Sequence, residues 1–195
     1  MWFEHTPPRR VRTRLYLVVN NYDMGKLSPH LHSLKVGSSV NIRGPVGRFK
    51  YEKNAYRRIG LVAGGSGLTP CLQLIRCLLQ GPDMQDDHTS LVLLFQNRTE
   101  EDILLREELD ALQASHSSRL QVVYFLSNAQ SHDFGAPHTK HAEKRGYINQ
   151  AAVQSMLAPE HCQLVCICGP SGFNNSVKQL LLEAGHDEQK SIYVW

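Results

Sequence analysis

The 195-residue sequence lacks any apolar run near the roughly 20 residues that a membrane-spanning helix needs. Basic side chains occur near its start, but no apolar core follows them and position 2 is not glycine, which predicts neither a secretory signal nor myristoylation. With 42% hydrophobic and 20% charged residues, the composition is typical of a globular protein. We therefore expect an intracellular protein with no transmembrane segment.

The sequence also lacks the charge pattern of a nucleic-acid-binding protein. Its net charge is only +3. The one basic cluster is not interleaved with aromatic residues and consists of Arg9, Arg10, Arg12 and Arg14. We expect no nucleic-acid partner.

Metal-binding and disulfide patterns are absent too. The five cysteines form no C-x-x-C pair, and most lie in apolar runs: Cys71, Cys77, Cys162, Cys166 and Cys168. They predict buried, reduced thiols. A polar stretch carries four further ligand types, His132, Asp133, His138 and His141, but their spacing matches no standard zinc site. We expect a solvated loop there and no metal.

The first fifty or so residues contain short runs of strand-like composition separated by turn residues. Residues 14–20 and 38–44 have strand composition, and glycine turns follow each. Between them, Ser28 suits an N-cap and Pro29 suits the first position of a short helix. These two or three strands are too few for a closed barrel, which needs about five or more. We therefore predict that residues 1–54 form part of a β-domain.

From Arg58 onward, apolar strands alternate with helices. Strands are predicted at residues 59–63, 90–97, 119–127, 163–170 and 191–195. Helices are predicted from the glycine turn to residue 80, at 100–115 with Thr99 as N-cap, at 146–157 and at 171–185, whereas 128–145 is polar. Strands this apolar belong in a parallel sheet covered on both faces. Residues 55–195 therefore predict a doubly wound α/β domain of five to six parallel strands.

The central element is the glycine turn Gly64, Gly65, Ser66 and Gly67, which joins a strand to a helix. Glycines permit a close approach to the backbone, and the helix N-terminus carries partial positive charge. The spacing matches neither the usual dinucleotide fingerprint nor a P-loop, so an ordinary strand-to-helix connection remains open. Ligands of such sheets bind outside the carboxyl ends of the strands, which here predicts a nucleotide site. The residues at these ends include Phe95, Gln96, Asn97, Ser127, Cys168, Gly169 and Pro170.

Five segments, in order, resemble the NADH-cytochrome b5 reductases, a group within the ferredoxin reductase-like flavoproteins. They are GKLS (residues 25–28), RGPVG (43–47), AGGSGLTP (63–70), LLFQNRTEEDILLR (93–106) and CGP (168–170). The resemblance covers about residues 17–195. It implies an N-terminal FAD-binding antiparallel β-barrel followed by an NADH-binding α/β domain.

The resemblance also implies site roles. Gly25, Lys26, Leu27 and Ser28 would hold the FAD pyrophosphate, and Thr69 and Pro70 would lie near the flavin. The glycine turn would admit the nicotinamide nucleotide, and Cys168 would help orient hydride transfer without acting as a nucleophile. Electrons would then pass singly to a haem acceptor such as cytochrome b5 or a fused b5 domain. The protein would work in the cytoplasm or on the cytoplasmic side of an organelle membrane, through parts outside this chain.

Two departures from the family pattern matter. At the position where the reductases carry an Asp that contacts the adenosine ribose, this chain has Ser127, with no Arg or Lys expected nearby; this favours NADH without excluding NADPH. The flavin-binding Arg-x-Tyr-Ser/Thr motif is not found upstream of Gly25. We therefore expect an N-terminally truncated barrel. The alternative function is a non-catalytic nucleotide-binding or interaction protein that has lost its flavin-binding segment.

Overall fold

The computed structural model describes residues 17–19, 24–43, 47, 49–128 and 142–195. The chain divides into two compact units, Met1–Tyr51 and Glu52–Trp195. The metal-ligand types considered above, at positions 132–141, lie outside the described residues.

The described part of the first unit contains one helix, α1, at Leu27–Ser33. It begins two residues before the predicted position, with Lys26 rather than Ser28 at the N-cap, and Ser28 is buried instead. The strand predicted at 38–44 is not formed over residues 38–43. Val40 and Ile42 are 46% and 59% exposed there, and no described residue of this unit lies in a strand with which they could pair. Of the strand predicted at 14–20, only residues 17–19 are described, and these are not in a strand.

The second unit is built on a six-stranded parallel sheet. Its strands are β1 (Arg58–Gly64), β2 (Ser90–Asn97), β3 (Leu120–Leu126), β4 (Ala142–Arg145), β5 (Leu164–Cys168) and β6 (Ile192–Val194). They lie in the order β4-β3-β2-β1-β5-β6. The helices between them are α2 (Leu68–Gln80), α3 (Arg106–Ser115), α4 (Gln150–Met156) and α5 (Ser171–Glu183). The predicted doubly wound α/β fold is confirmed.

Alternate residues of the strands form the core on each face of the sheet. Against α4 and α5, the buried side chains include Val62, Leu94, Phe125, Val165 and Ile167. The intervening strand residues are buried as well, and α2 contacts β1, β2 and β5. Burial on both faces explains why the strands read as continuous apolar runs.

Several sequence predictions fail within this unit. Helix α4 begins at Gln150 rather than at residue 146, because the Asn149 side chain caps it by accepting a hydrogen bond from the N–H of Ala152. The last four residues of the predicted polar stretch form β4, whose short polar sequence gives no strand signal and which is held by parallel pairing to β3. Helix α3 begins at Arg106, not at residue 100. The cause is local: the Asp102 carboxylate accepts hydrogen bonds from the N–H and hydroxyl of Thr99, and Leu105 has a left-handed φ of 54°. These features make a turn before the helix, and Thr99 does not cap it.

Candidate functional site

The carboxyl ends of four strands meet at one edge of the sheet, as predicted. In the strand register, Ala63 of β1 lies opposite both Phe95 of β2 and Cys168 of β5. The N–H of Ser127 donates a 3.1 Å hydrogen bond to the carbonyl oxygen of Asn97, which joins the ends of β2 and β3. Segments up to 105 residues apart in the sequence are thereby brought together.

The glycines of the central turn have different roles. A Cβ atom on Gly67 would lie 2.1 Å from the carbonyl oxygen of Cys168, and one on Gly64 would lie 3.1 Å from the Phe173 ring. These two glycines allow close packing within the protein. Gly65 has a φ of 53° and no atom within 4 Å of its Cβ position, so its outer side is open. Gly65 is therefore the glycine of this turn that leaves room for a ligand.

Helix α2 begins directly after this turn and is thirteen residues long. No side chain caps its N-terminus, and no acidic residue lies in its first turn. Thr69 and Pro70, both half-buried, lie in that turn, and the Thr69 hydroxyl donates to the carbonyl oxygen of Ser66 at 3.3 Å. The Leu68 N–H donates to the carbonyl oxygens of Gly65 and Ser66, and Pro70 has no N–H, so the helix dipole rather than free N–H groups of α2 favours an anion at this point.

Cys168 ends β5 beside this turn and is half-buried. Burial raises the pKa of its thiol above the ordinary value. The group is therefore a neutral S–H at physiological pH, which agrees with an orienting role rather than a nucleophilic one. Gly169 follows it and packs on the Phe173 ring, which a Cβ on Gly169 would approach to 2.5 Å.

The Gln96 side chain is engaged within the protein. Its Nε2 donates to the carbonyl oxygens of Asn97, Phe125 and Gly146, and its Oε1 accepts from the N–H of Ile148 at 2.9 Å. The amide thus clamps β2, β3 and the segment after β4. Gln96 shapes the edge of the sheet, a role that its place at a strand end does not reveal.

The neighbouring Asn97 is in the opposite situation. It is 6% exposed, and neither its Nδ2 nor its Oδ1 has a hydrogen-bond partner among the described residues. Buried amides are almost always paired, so this one requires a polar group from outside that part of the chain. A ligand at the strand ends can supply such a group.

A cavity of about 340 Å³ opens beside Gln96, on the face of the sheet that carries α4 and α5. Its lining is mostly apolar and comprises Gln96, Tyr147, Ile148, Gly172, Phe173, Ser176, Val177 and Leu180. The volume falls within the range of small-molecule sites. Sequence reasoning missed Tyr147, which it had placed in a helix; the aromatic residue is 71% exposed and follows Gly146, whose φ is 88°. The available signal was Gly146 directly before Tyr147, because a glycine at this point favours a turn over the first residues of a helix.

Ser127 lies between two arginines in the backbone arrangement. The N–H of Asn128 donates to the carbonyl oxygen of Arg98 at 2.8 Å, and Arg145 lies opposite Leu126 in the pairing of β3 with β4. The expectation that no basic residue lies near Ser127 is therefore wrong. It failed because β4, which carries Arg145, was not predicted.

The predicted flavin segment lies in the first unit. Gly25, Lys26 and Leu27 are exposed at the start of α1, which has no side-chain cap and no acidic residue in its first turn. Ser28 is buried. An exposed lysine beside uncapped N–H groups has the chemistry that a pyrophosphate requires.

The described part of the chain has neither a metal-ligand cluster nor a membrane-spanning helix. Its His, Cys, Asp and Glu side chains form no group of three or more that could hold a metal ion. None of its helices is both long enough and apolar enough to cross a membrane.

Comparison with known proteins identifies two domain types. Residues 61–179 match the family model of the oxidoreductase NAD-binding domain, and residues 6–51 match that of the oxidoreductase FAD-binding domain. The chain is 36% identical to NADH-cytochrome b5 reductase 1 of Laccaria bicolor over 192 residues, which is 96% of this chain and 59% of that protein.

Solved structures agree with this result. The cytochrome b5 reductase domain of Ulva prolifera nitrate reductase is 31% identical with a TM-score of 0.74, over 88% of this chain and 66% of that one. The CS-b5R domains of human Ncb5or, in the NAD+ form, are 29% identical with a TM-score of 0.73, over 90% of this chain and 47% of that one. The chain spans about half the length of the curated relatives that it matches.

Proposed function

The chain belongs to the NADH-cytochrome b5 reductase family, and on that premise we propose that it transfers hydride from NADH to FAD and passes the electrons singly to a haem acceptor such as cytochrome b5. Both cofactors agree with the two family models that match the chain. The acceptor is inferred from the names of its relatives.

The observation that carries the proposal is the Asn97 amide, buried at the carboxyl edge of a doubly wound sheet without a partner among the described residues. Leaving such a group unpaired costs about 1 to 3 kcal/mol, which a bound polar ligand recovers. The open side of Gly65, which follows the strand paired with β2, leaves space for that ligand. A dinucleotide has the required mixture of polar and apolar groups.

Each part of the edge suits one part of the coenzyme. The pyrophosphate would lie at Gly65 and the start of α2, where the helix dipole favours negative charge and no acidic residue opposes it. The adenosine ribose would lie at Ser127, at the end of β3. Cys168 and Thr69 would orient the nicotinamide, with the cysteine as a neutral thiol. Orientation suffices here, since hydride transfer needs little acid or base from the protein.

The flavin would be held through Gly25, Lys26 and Leu27, whose exposure and charge suit a pyrophosphate. When bound, FAD would supply the chemistry that takes two electrons together from the nicotinamide and releases them one at a time to the acceptor. Lys26→Ala should weaken FAD retention while leaving NADH binding unchanged. Lys35→Ala, which removes an exposed lysine just after α1, is the matched control.

The alternative, a nucleotide-binding protein without flavin, is not favoured, because residues 6–51 match an FAD-binding domain. The reductase proposal is tested by mixing the chain with FAD, NADH and oxidised cytochrome b5. Reduction of the haem that requires both FAD and NADH supports it. Binding of NADH with no haem reduction, under conditions in which FAD is retained, would overturn the proposed acceptor.

The nucleotide site is tested separately by titrating the chain with ADP-ribose. Asn97→Leu should weaken binding about tenfold or more and leave the free energy of unfolding unchanged or higher, because it removes unpaired buried polar atoms. Asn175→Leu, at an exposed position of α5, is the control. Equal affinity in Asn97→Leu and the parent would show that the amide does not contact the coenzyme.

A further inference from the structure

The turn of residues 98–105 joins β2 to α3 and directly follows Asn97, whose buried amide has no hydrogen-bond partner among the described residues. Inside the turn, the N–H of Ile103 donates to the carbonyl oxygen of Glu100 at 3.1 Å, and the Ile103 side chain is buried. The turn is thus ordered and packed on the protein. Because it is joined to Asn97 through the backbone, its course constrains the direction in which that amide points.

The end of this turn is strained. Leu105 has a φ of 54°, in the left-handed region that is unfavourable for a residue with a bulky side chain. The Leu105 side chain is 38% exposed, so its burial does not offset the cost. Because a strained backbone persists only where its surroundings hold it in place, we looked to the next residue for the contact that holds it.

Arg106 makes that contact. Its side chain is 19% exposed and forms ion pairs with two carboxylates, Glu100 within the turn and Asp110 one helical turn later, the second at 3.7 Å. The pair with Glu100 crosses the turn, and the pair with Asp110 fixes the guanidinium to α3. One side chain therefore ties the turn to the helix that follows it.

The same guanidinium is held on the sheet through Tyr124. It lies 5.4 Å from the centre of the Tyr124 ring, and the Tyr124 hydroxyl donates to the Asp110 carboxylate at 2.7 Å. Tyr124 is fully buried and lies opposite Phe95 in the pairing of β3 with β2. Because strand residues alternate between faces, Phe95 and Asn97 project from the same face of β2. Arg106 and the Asn97 side chain therefore lie on one side of the sheet.

We propose that Arg106 is a positioning residue of the coenzyme site: through Glu100 it holds the turn of residues 98–105, and thereby keeps the Asn97 amide directed at the bound nucleotide. Arginine suits this role because its planar fork offers several donors in fixed directions, whereas a lysine ammonium is a compact point charge. The inference rests on the proposed function, since it takes Asn97 as a contact of the coenzyme.

The test is a calorimetric titration of the full chain with ADP-ribose, a probe that requires no flavin. Arg106→Gln should weaken binding about fivefold or more, because the turn loses the ion pair that crosses it. Arg106→Lys should restore part of the affinity, since it keeps the charge. Glu100→Gln is the milder variant, because it breaks the pair across the turn and leaves Arg106 on Asp110 and Tyr124; it should weaken binding about threefold.

Arg76→Gln is the matched control. Arg76 on α2 donates two hydrogen bonds of 2.6 Å to the carboxylate of Glu108 on α3, and this ion pair lies outside the turn. Its loss loosens the same helix without touching residues 98–105. The affinity for ADP-ribose should therefore stay within about twofold of the parent value.

A double-variant cycle distinguishes positioning from a general structural role. If Arg106 acts through Asn97, then Arg106→Gln should weaken binding by less than about twofold in a chain that already carries Asn97→Leu. A residue that only stabilises the fold would weaken binding by the same factor in both backgrounds.

The outcomes also separate this inference from the proposed function. If the parent chain does not bind ADP-ribose, the nucleotide site is refuted and this inference with it. If ADP-ribose binds and Asn97→Leu weakens it, but Arg106→Gln and Glu100→Gln bind as tightly as Arg76→Gln, the nucleotide site stands and the positioning role is refuted. An equal effect of Arg106→Gln in the parent and in Asn97→Leu would refute the positioning role as well.

Discussion

A Cβ atom on Gly67 would lie only 2.1 Å from the carbonyl oxygen of Cys168. The start of α2 and the end of β5 therefore touch through their backbones, with no side chain between them. This contact sets the distance between the glycine turn and the thiol that we propose to orient the nicotinamide. It also gives Gly67 a packing role that its place in a glycine-rich turn does not reveal.

Gly67→Ala should lower the free energy of unfolding by about 1 to 3 kcal/mol, because the added methyl group must displace backbone atoms. Urea unfolding followed by circular dichroism measures the change. Gly172→Ala is the control, since it has no atom within 4 Å of its Cβ position and lies in α5, where alanine is favoured. Equal stability of the two variants would contradict the close contact.

Gln96→Ala should destabilise the domain by about 1 to 3 kcal/mol, because it leaves the N–H of Ile148 without its acceptor and removes the donor shared by the carbonyl oxygens of Phe125 and Gly146. Gln154→Ala, at an exposed position of α4, should have little effect. Hydrogen exchange gives a second measurement, in which the Ile148 N–H loses protection. Retained protection at Ile148 would show that the clamp does not exist.

Because of Cys162, the free energy of unfolding of the domain depends on pH in the alkaline range. Burial raises the pKa of its thiol to about 11, partly offset by Arg58. Between about pH 9, the ordinary thiol value, and about pH 11, the folded state holds a proton that the unfolded state has lost, so stability falls as pH rises through this range. Two pKa units at about 1.4 kcal/mol each make the stability lost above about pH 11 roughly 3 kcal/mol.

The measurement compares unfolding of the parent and Cys162→Ala at pH 8 and pH 10.5. The parent should lose more stability over this interval than the variant, whatever the difference at pH 8. Lysines and tyrosines titrate equally in both proteins, so identical losses would show that the Cys162 proton is not linked to folding.

Cys168→Ser should slow reduction of the flavin by NADH several-fold while changing the unfolding free energy little, because serine nearly conserves the volume of the side chain. Stopped-flow mixing under anaerobic conditions gives the rate. Cys77→Ser, on α2 away from the strand ends, is the control and should reduce at the parental rate. An unchanged rate in Cys168→Ser would make Cys168 a packing residue only.

The sheet was predictable because parallel strands that are buried on both faces appear in the sequence as continuous apolar runs. Ser90–Asn97 and Leu164–Cys168 fall within the predicted ranges, and the meeting of their carboxyl ends follows from parallel topology alone. The conformations within those ends were not predictable. Nothing in the sequence distinguishes the open Gly65 from the packed Gly67. Nor does it distinguish Gln96, whose amide is hydrogen-bonded, from Asn97, whose amide has no partner among the described residues.

The errors arose where tertiary pairing decides the structure. Strand β4 is polar and four residues long, and only its register with β3 makes it a strand. Its absence from the prediction hid the position of Arg145, which lies opposite Leu126 in the pairing of β4 with β3. Residues 38–43 show the reverse case, since Val40 and Ile42 have strand propensity but remain exposed.

The central claim is that the carboxyl edge of this sheet delivers hydride from a nicotinamide nucleotide to FAD. Its most direct test is the visible absorption spectrum of the FAD-loaded chain under anaerobic conditions, before and after one equivalent of NADH. Our account predicts a yellow protein whose flavin band is bleached by NADH. A colourless chain that retains no FAD, or a flavin band that NADH leaves unchanged, would contradict it.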